Sequence, residues 1–374
     1  MVLVVVIVAV VVAVGGRVGP PAAERGDAAA TAVQTAPVPT APAQAVPTWV
    51  RAALAGSPVW SFADVRVRVE AVPAVARGAT RSITPESDAA GAPEAAEAGE
   101  ARGEVAVVGV GDAATLAQVG QIGVEAVQAV AREWHRPWSH RLLVVVPADR
   151  AQWHAVAGTD PGTGTTGTGT GTGTDGGLGS SAAAGASTGK GAATQGPAAA
   201  RNGVAPAMTV SAPDGSAYVV LDPHAWATAS SPGRRALLIH EAVHVAVWAD
   251  PQTARHSAPA WLAEGFAQFV AYGQIGADVH LIAPELLDRV RREGPPVELP
   301  TDEQLALEGP QRLDGYAQAW LACLTLADLA GPTAPAEAMA AGGPDRPGGP
   351  GVATAKLRGA WQADLVRLAG SGPS

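Results

Sequence analysis

One helix-forming segment sets narrow limits on the fold of this chain. Residues 231–248 are apolar almost all round, yet three ionisable side chains stand at their centre. Ser231 can cap a helix here and Pro232 can occupy its first turn. A helix with apolar residues on every side is buried within a core, where His240 and His244 need polar partners. The fold must therefore close around a polar centre.

The three ionisable residues have the pattern His-Glu-x-x-His. His240 and His244 are one helical turn apart, so both imidazoles can reach one tetrahedral cation at about 2.0–2.1 Å. Glu241 follows the first histidine directly, and its carboxylate can hold the attacking water beside that cation. A helix with two solvent-facing histidines is the alternative, which the apolar flanks disfavour. The pattern predicts a metal site with Glu241 as the general base.

A second helix is predicted to supply the third ligand. Residues 260–267 hold one carboxylate, Glu264, among apolar neighbours. A buried carboxylate is costly unless it is paired or ligated. Two histidines and one glutamate leave the fourth position of Zn²⁺ open, as catalytic sites require. We therefore predict a zinc site with Glu264 as the third ligand, while Asp250 and His256 in the intervening loop remain alternatives.

Together the two motifs resemble those of the gluzincin metallopeptidases, and most closely the peptidase MA-like domain of exported bacterial proteins. The matching segments are residues 240–244 (HEAVH) and 261–267 (WLAEGFA). The resemblance covers roughly residues 104–368 and implies a zincin-like fold and zinc-dependent peptide hydrolysis. It also implies that Tyr316, at the start of a later helix, hydrogen-bonds the tetrahedral oxyanion. A tyrosine that packs on the core is the alternative for Tyr316.

Low-complexity segments divide the chain, as its composition suggests: it has 45 glycines and 31 prolines, and only 4% of its residues are aromatic. Strand and helix patterns alternate up to Pro232, and mostly helical patterns follow. We predict an α+β protein: a zincin-like metallopeptidase domain with an N-terminal mixed sheet, an active-site helix and a helical C-terminal part. The predicted organisation is a signal peptide or short membrane anchor at 1–15, a Pro/Ala-rich linker at 16–47, a small N-terminal module at 48–79, an acidic disordered link at 80–103, and the peptidase MA-like zincin domain at 104–370 with a disordered Gly/Thr-rich insertion at 158–200.

Charge and the N-terminus indicate compartment and partners. The net charge is −9, from 25 basic and 34 acidic residues, and the sequence has no block rich in Lys or Arg. Both features argue against nucleic acid or an anionic membrane surface as the main partner. The single cysteine, Cys323, excludes an intramolecular disulfide. Residues 2–14 are apolar but would reach only about 20 Å as a helix, against about 30 Å for a bilayer core. They fit a signal peptide or membrane anchor, although no Lys or Arg precedes them, and predict an extracytoplasmic location.

The expected partner is a peptide or protein substrate. Aminopeptidases with this metal motif carry a Gly-x-Met-Glu-Asn segment that binds the free N-terminus, and none stands before His240, so exopeptidase action has no support. Residues 216–221 are predicted as an edge strand that pairs with an extended substrate. A second hypothesis is a non-catalytic, zinc-stabilised binding or scaffold module of the cell envelope. The intact Glu241 argues against that module, since such a site needs no base.

Overall fold

The computed structural model describes residues 5–7, 46–73, 103–158, 205–251, 253, 258–307 and 309–371. These residues form a mixed α and β structure, which confirms the α+β class. The strands are β1 (Val5–Ile7), β2 (Arg66–Val72), β3 (Gly103–Gly109), β4 (Arg141–Val146), β5 (Ala207–Ser211) and β6 (Ala217–Leu221). The helices are α1 (Thr48–Ala53), α2 (Ala113–Glu133), α3 (Arg150–Ala157), α4 (Pro223–Thr228), α5 (Ser231–Ala249), α6 (Ala260–Ile275), α7 (Val279–Ile282), α8 (Pro284–Glu293), α9 (Asp302–Ala306), α10 (Pro310–Ala330), α11 (Ala334–Ala341) and α12 (Thr354–Gly370).

The strands form one mixed sheet in the order β1-β5-β6-β4-β3-β2. β3 pairs with β4 and β4 with β6 in parallel, whereas the other neighbours are antiparallel. β6 therefore lies inside the sheet, and the prediction of residues 216–221 as an edge strand is wrong. Every residue of β6 is buried, as expected for a strand that is covered on both faces.

The long helix α2 connects the parallel strands β3 and β4. The Asp112 side chain begins this helix by accepting a hydrogen bond from the Thr115 backbone N–H at 2.8 Å, so the predicted cap is confirmed. The apolar stripe of α2 then packs across β2, β3 and β4 and against α5. This packing supports the helix that carries the histidine motif.

Each central strand separates two hydrophobic cores. On β4, Leu142 and Val144 belong to the core under α2, α5 and the C-terminal helices. Leu143 and Val145 point the other way, into a smaller core with α1 and α3. This alternation follows from the two-residue period of a strand. The larger core places α5, α6 and α10 together on one face of the sheet.

The N-terminal segments contribute to the same sheet. β1 pairs antiparallel with β5, and β2, within the segment predicted as a small module, pairs antiparallel with β3. Most of the predicted export segment, of the Pro/Ala-rich linker, of the acidic link and of the Gly/Thr-rich insertion lies outside the described residues. None of the helices in the described ranges combines the length and apolarity that a membrane-spanning segment needs.

Candidate metal centre

Helix α5 buries the whole histidine motif between the sheet and the neighbouring helices. The Ser230 side chain caps α5 by accepting from the Gly233 N–H at 3.2 Å, one residue before the predicted cap. His240, Glu241 and His244 lie in the middle of the helix and are all buried. Buried ionisable groups of this kind need partners, and those partners come from other elements.

Helix α6 brings Glu264 to the two histidines. Glu264 Oε2 lies 3.2 Å from His240 Nε2 and 3.6 Å from His244 Nε2, and the two Nε2 atoms are 3.0 Å apart. Ligand atoms held at about 2.0–2.1 Å around a tetrahedral ion lie roughly 3.3–3.4 Å from one another. The observed separations are close to that spacing. The three donors therefore converge on one point, as the ligands of a single cation do.

The three residues form a buried group that could hold a metal ion. All three predicted ligands, His240, His244 and Glu264, belong to it. The donor chemistry fits a divalent cation, because two imidazole nitrogens and a carboxylate oxygen meet with little other compensation for their burial. The structure therefore brings the three predicted ligands together, while their role as ligands and the identity of the metal belong to the proposal below.

Electrostatics in the centre reflect the same convergence. Burial alone would raise the pKa of Glu264, but the two histidines outweigh it and lower the pKa to about 2. Burial lowers the pKa of His240 to about 4, although Glu264 opposes this shift. Glu264 therefore stays ionised while His240 stays neutral near pH 7, which is the protonation state that metal ligation by each requires. The pKa of His244 is raised instead, because burial there is outweighed by the charge of Glu264, so a metal ion would have to displace a proton from His244.

Glu241 is the fourth buried ionisable residue of the site, beside the three possible ligands in the sequence and fold. Burial raises the pKa of Glu241 to about 7, and His244 and a hydrogen bond from Thr209 act in the opposite direction. The Thr209 hydroxyl donates to Glu241 Oε2 at 2.6 Å. The other oxygen, Oε1, is buried and has no hydrogen-bond partner among the described residues. A buried carboxylate oxygen without a donor is costly, so a polar group belongs beside it.

Tyr316 lies near the start of α10 and is buried beside the same carboxylates. Burial raises the pKa of Tyr316 well above its usual value, and the negative charge of Glu264 and of Glu241 adds to the shift. The phenol therefore keeps its proton and remains a hydrogen-bond donor at neutral pH. The structure thus brings Tyr316 close enough to interact electrostatically with Glu264 and Glu241.

Asp250, one alternative third ligand, is used elsewhere. It forms an ion pair with Arg136 and accepts a hydrogen bond from the Thr253 hydroxyl at 3.1 Å. It is not part of the group around the histidines. The other alternative, His256, lies outside the described residues. Within the described part of the chain, Glu264 is therefore the third donor.

Two polar contacts join residues that are far apart in the sequence, and no local pattern predicts them. Thr209 is separated from Glu241 by 32 positions, and Arg136 from Asp250 by 114. A groove of about 540 Å³ is lined by residues of α8, α9 and α10 and of the loop after α8, and none of the predicted site residues is among them. The groove therefore contributes none of the three residues that could hold a metal ion.

Comparison with known proteins adds no relative. No family model matches the chain, and neither a curated protein nor a solved structure does. The residues of the centre and their geometry are therefore the basis for a functional proposal.

Proposed function

We propose that the chain is a zinc-dependent peptidase of the gluzincin type, with a zincin-like fold and a peptidase MA-like domain. The observation that carries the proposal is the convergence of His240, His244 and Glu264, together with the neighbouring Glu241, whose buried Oε1 has no hydrogen-bond partner in the described chain. Ligands without a base would indicate a structural site. A buried acid positioned beside an incomplete ligand set instead supports hydrolysis.

Each residue has a definite role in this proposal. His240, His244 and Glu264 hold Zn²⁺, which when bound supplies Lewis-acid polarisation of the scissile carbonyl and acidifies water. Glu241 accepts the proton of the attacking water at Oε1 and passes it to the leaving amine. The Tyr316 hydroxyl donates to the oxyanion as the carbonyl carbon becomes tetrahedral.

The substrate in this proposal is a peptide or protein that is cleaved outside the cytoplasm, by a secreted or membrane-anchored enzyme. The length and apolarity of residues 2–14 are the sequence feature that supports that location. In the structure, Val5–Ile7 of this segment pair with β5 as an edge strand of the sheet. The chain lacks a Gly-x-Met-Glu-Asn segment before His240, which favours cleavage within a peptide over removal of its first residue. The competing function, a zinc-stabilised envelope module without turnover, shares the ligands but has no use for Glu241.

The decisive experiment compares the purified chain with Glu241→Gln on a mixed peptide library, with and without a chelator. We expect about one zinc per chain in both proteins, because Glu241 is not a ligand. Turnover should fall by at least about 10²-fold in the variant, since glutamine cannot accept a proton. Glu285→Gln, on the exposed side of α8, is the matched control and should behave like wild type.

Two results would contradict the proposal. Turnover near the wild-type rate in Glu241→Gln would remove the base from the mechanism. Zinc-loaded wild-type protein that cleaves nothing in the library would favour the envelope module. His244→Ala provides the test of the metal itself, because loss of one of three ligands should empty the site in elemental analysis.

A further inference from the structure

We propose that Thr209, on strand β5, is a positioning residue that holds the Glu241 carboxylate in the orientation needed for proton transfer. The inference rests on the proposed peptidase function and extends the machinery to a residue of the sheet, outside both helical motifs.

The contact is short, buried and exclusive. The Thr209 Oγ1 hydroxyl donates to Glu241 Oε2 at 2.6 Å, and Thr209 is 6% exposed while Glu241 is fully buried. The Thr209 hydroxyl oxygen also lies 3.5 Å from the backbone carbonyl oxygen of Glu241, but this distance is too long to compete for the single hydroxyl proton. Because Oε2 is occupied, Oε1 is the carboxylate oxygen that remains for the attacking water.

The pleat of β5 aims this hydroxyl at α5. Ala207 lies in the larger core, on the helical side of the sheet, and Met208 lies in the smaller core on the other side. Thr209 therefore faces the helices, since side chains alternate along a strand. A valine has nearly the same shape and would satisfy the packing of this position. The hydroxyl is needed only for its polar partner.

Strand β5, which carries Thr209, is held by contacts to both β6 and α5. Thr209 pairs with Val219, so β5 is held in register by the interior strand β6. The turn of the same hairpin accepts a hydrogen bond at the Gly215 carbonyl from Trp248 Nε1, at 3.1 Å, near the end of α5. The hairpin thus contacts α5 at two points. The position of the hydroxyl relative to Glu241 is set by the backbone rather than by a flexible side chain.

The chemical consequence follows from the freedom of a carboxylate. The terminal torsion of a glutamate is broad, so an unheld carboxylate samples orientations in which neither oxygen faces the water. Small misplacements of a catalytic group are costly to the rate. A buried hydroxyl that bonds only the base should affect the chemical step and not substrate binding. We therefore expect its removal to lower kcat and to leave KM nearly unchanged.

The test uses Thr209→Val and Thr209→Ser in the full chain. We expect Thr209→Val to keep one zinc and a KM within about twofold of wild type, and to lose about 10-fold in kcat. Thr209→Ser should restore most of the kcat, because the hydroxyl returns. Thr325→Val is the matched control: Thr325 is also buried and donates to a carboxylate, Asp364, at 2.9 Å. It should leave kcat unchanged.

A second measurement does not use activity. In zinc-free protein, Thr209→Val should lower the thermal unfolding midpoint in the wild-type background, because it leaves a buried carboxylate without its donor. The same change in a Glu241→Ala background should lower the midpoint much less. Additive midpoint shifts would show that the two side chains are not coupled and would overturn the inference.

The kinetic outcomes separate this inference from the proposed function. Wild-type kcat in zinc-loaded Thr209→Val would overturn the positioning role and leave the peptidase intact. An inactive wild-type chain would overturn both. If Thr209→Val does not fold, Thr209→Ala takes its place, and a kcat equal to wild type in that variant would likewise refute the role.

Discussion

Replacing Gly265 with alanine places a methyl group between the two helices that carry Glu264 and Tyr316. A Cβ at this position would lie 2.4 Å from the Ala319 carbonyl oxygen and 2.9 Å from Cys323 Sγ, on α10. Ordinary contacts of a Cβ begin near 3.4 Å. The main obstacle is backbone of a helix, which cannot rotate away as a side chain can. α6 and α10 must therefore separate by roughly 1 Å.

The expected loss of stability can be worked out from opposing effects. Forcing a methyl group into a close-packed interface costs about 1–3 kcal/mol, and a rigid backbone obstacle favours the upper end. Replacing glycine by alanine in a helix returns about 1 kcal/mol. We expect Gly265→Ala to be about 2 kcal/mol less stable than wild type. Gly273→Ala, in the same helix with nothing within 4 Å, should instead gain about 0.5–1 kcal/mol.

The assay is urea unfolding of zinc-free wild type, Gly265→Ala and Gly273→Ala. The free energies of unfolding can be compared if the three proteins show the same slope of free energy against urea concentration. The two variants should differ by about 3 kcal/mol in their free energy of unfolding. This difference is larger than the error of extrapolating each free energy to zero urea. Equal stability of the two variants, or a more stable Gly265→Ala, would refute the close approach of α6 and α10. The zinc affinity of Gly265→Ala should also fall, since Glu264 moves with α6.

Three further changes test the third ligand, a buried ion pair and the Gly/Thr-rich insertion. Glu264→Ala should weaken zinc binding severely while Asp250→Ala and His256→Ala leave its stoichiometry unchanged; chelator competition measures this, and the opposite pattern would displace Glu264 as ligand. Arg136→Met should cost about 1–3 kcal/mol in urea unfolding, because it leaves Asp250 buried without its cation, and no loss would show that the pair is neutral for stability. Cutting residues 158–200 to a short Gly-Ser link should change neither the melting temperature nor the zinc content, whereas a large drop in melting temperature would show that this segment packs on the domain.

Local pattern and ligand chemistry are enough to predict which three residues come together in the candidate metal site. His240 and His244 share one helix turn, and the neighbours of Glu264 are apolar, so both features can be read within a few positions. The one error on α5 is the cap, which is Ser230 instead of the adjacent Ser231. Two serines next to a proline offer nearly equivalent caps, and only tertiary packing selects between them.

Pairing across long sequence separations was not predictable in the same way. Nothing near Thr209 indicates that it faces Glu241, because the strand and the helix come together only through the sheet. The interior position of β6, by contrast, can be read from its own residues. Residues 217–221 are apolar at every position, which is typical of a strand buried on both faces, so this pattern favours an interior position and not the predicted edge.

The second face of the sheet has a consequence for producing the protein. Leu143 and Val145 on that face are covered in part by α1, and β2 pairs along β3. A recombinant fragment that starts at residue 104, where the sequence resemblance begins, would expose this apolar surface and leave a bare strand edge. Both features promote aggregation. Fragments for expression and crystallisation should therefore keep residues 46–73, so that α1 and β2 remain in place, and residues 5–7, whose strand β1 covers the edge of β5.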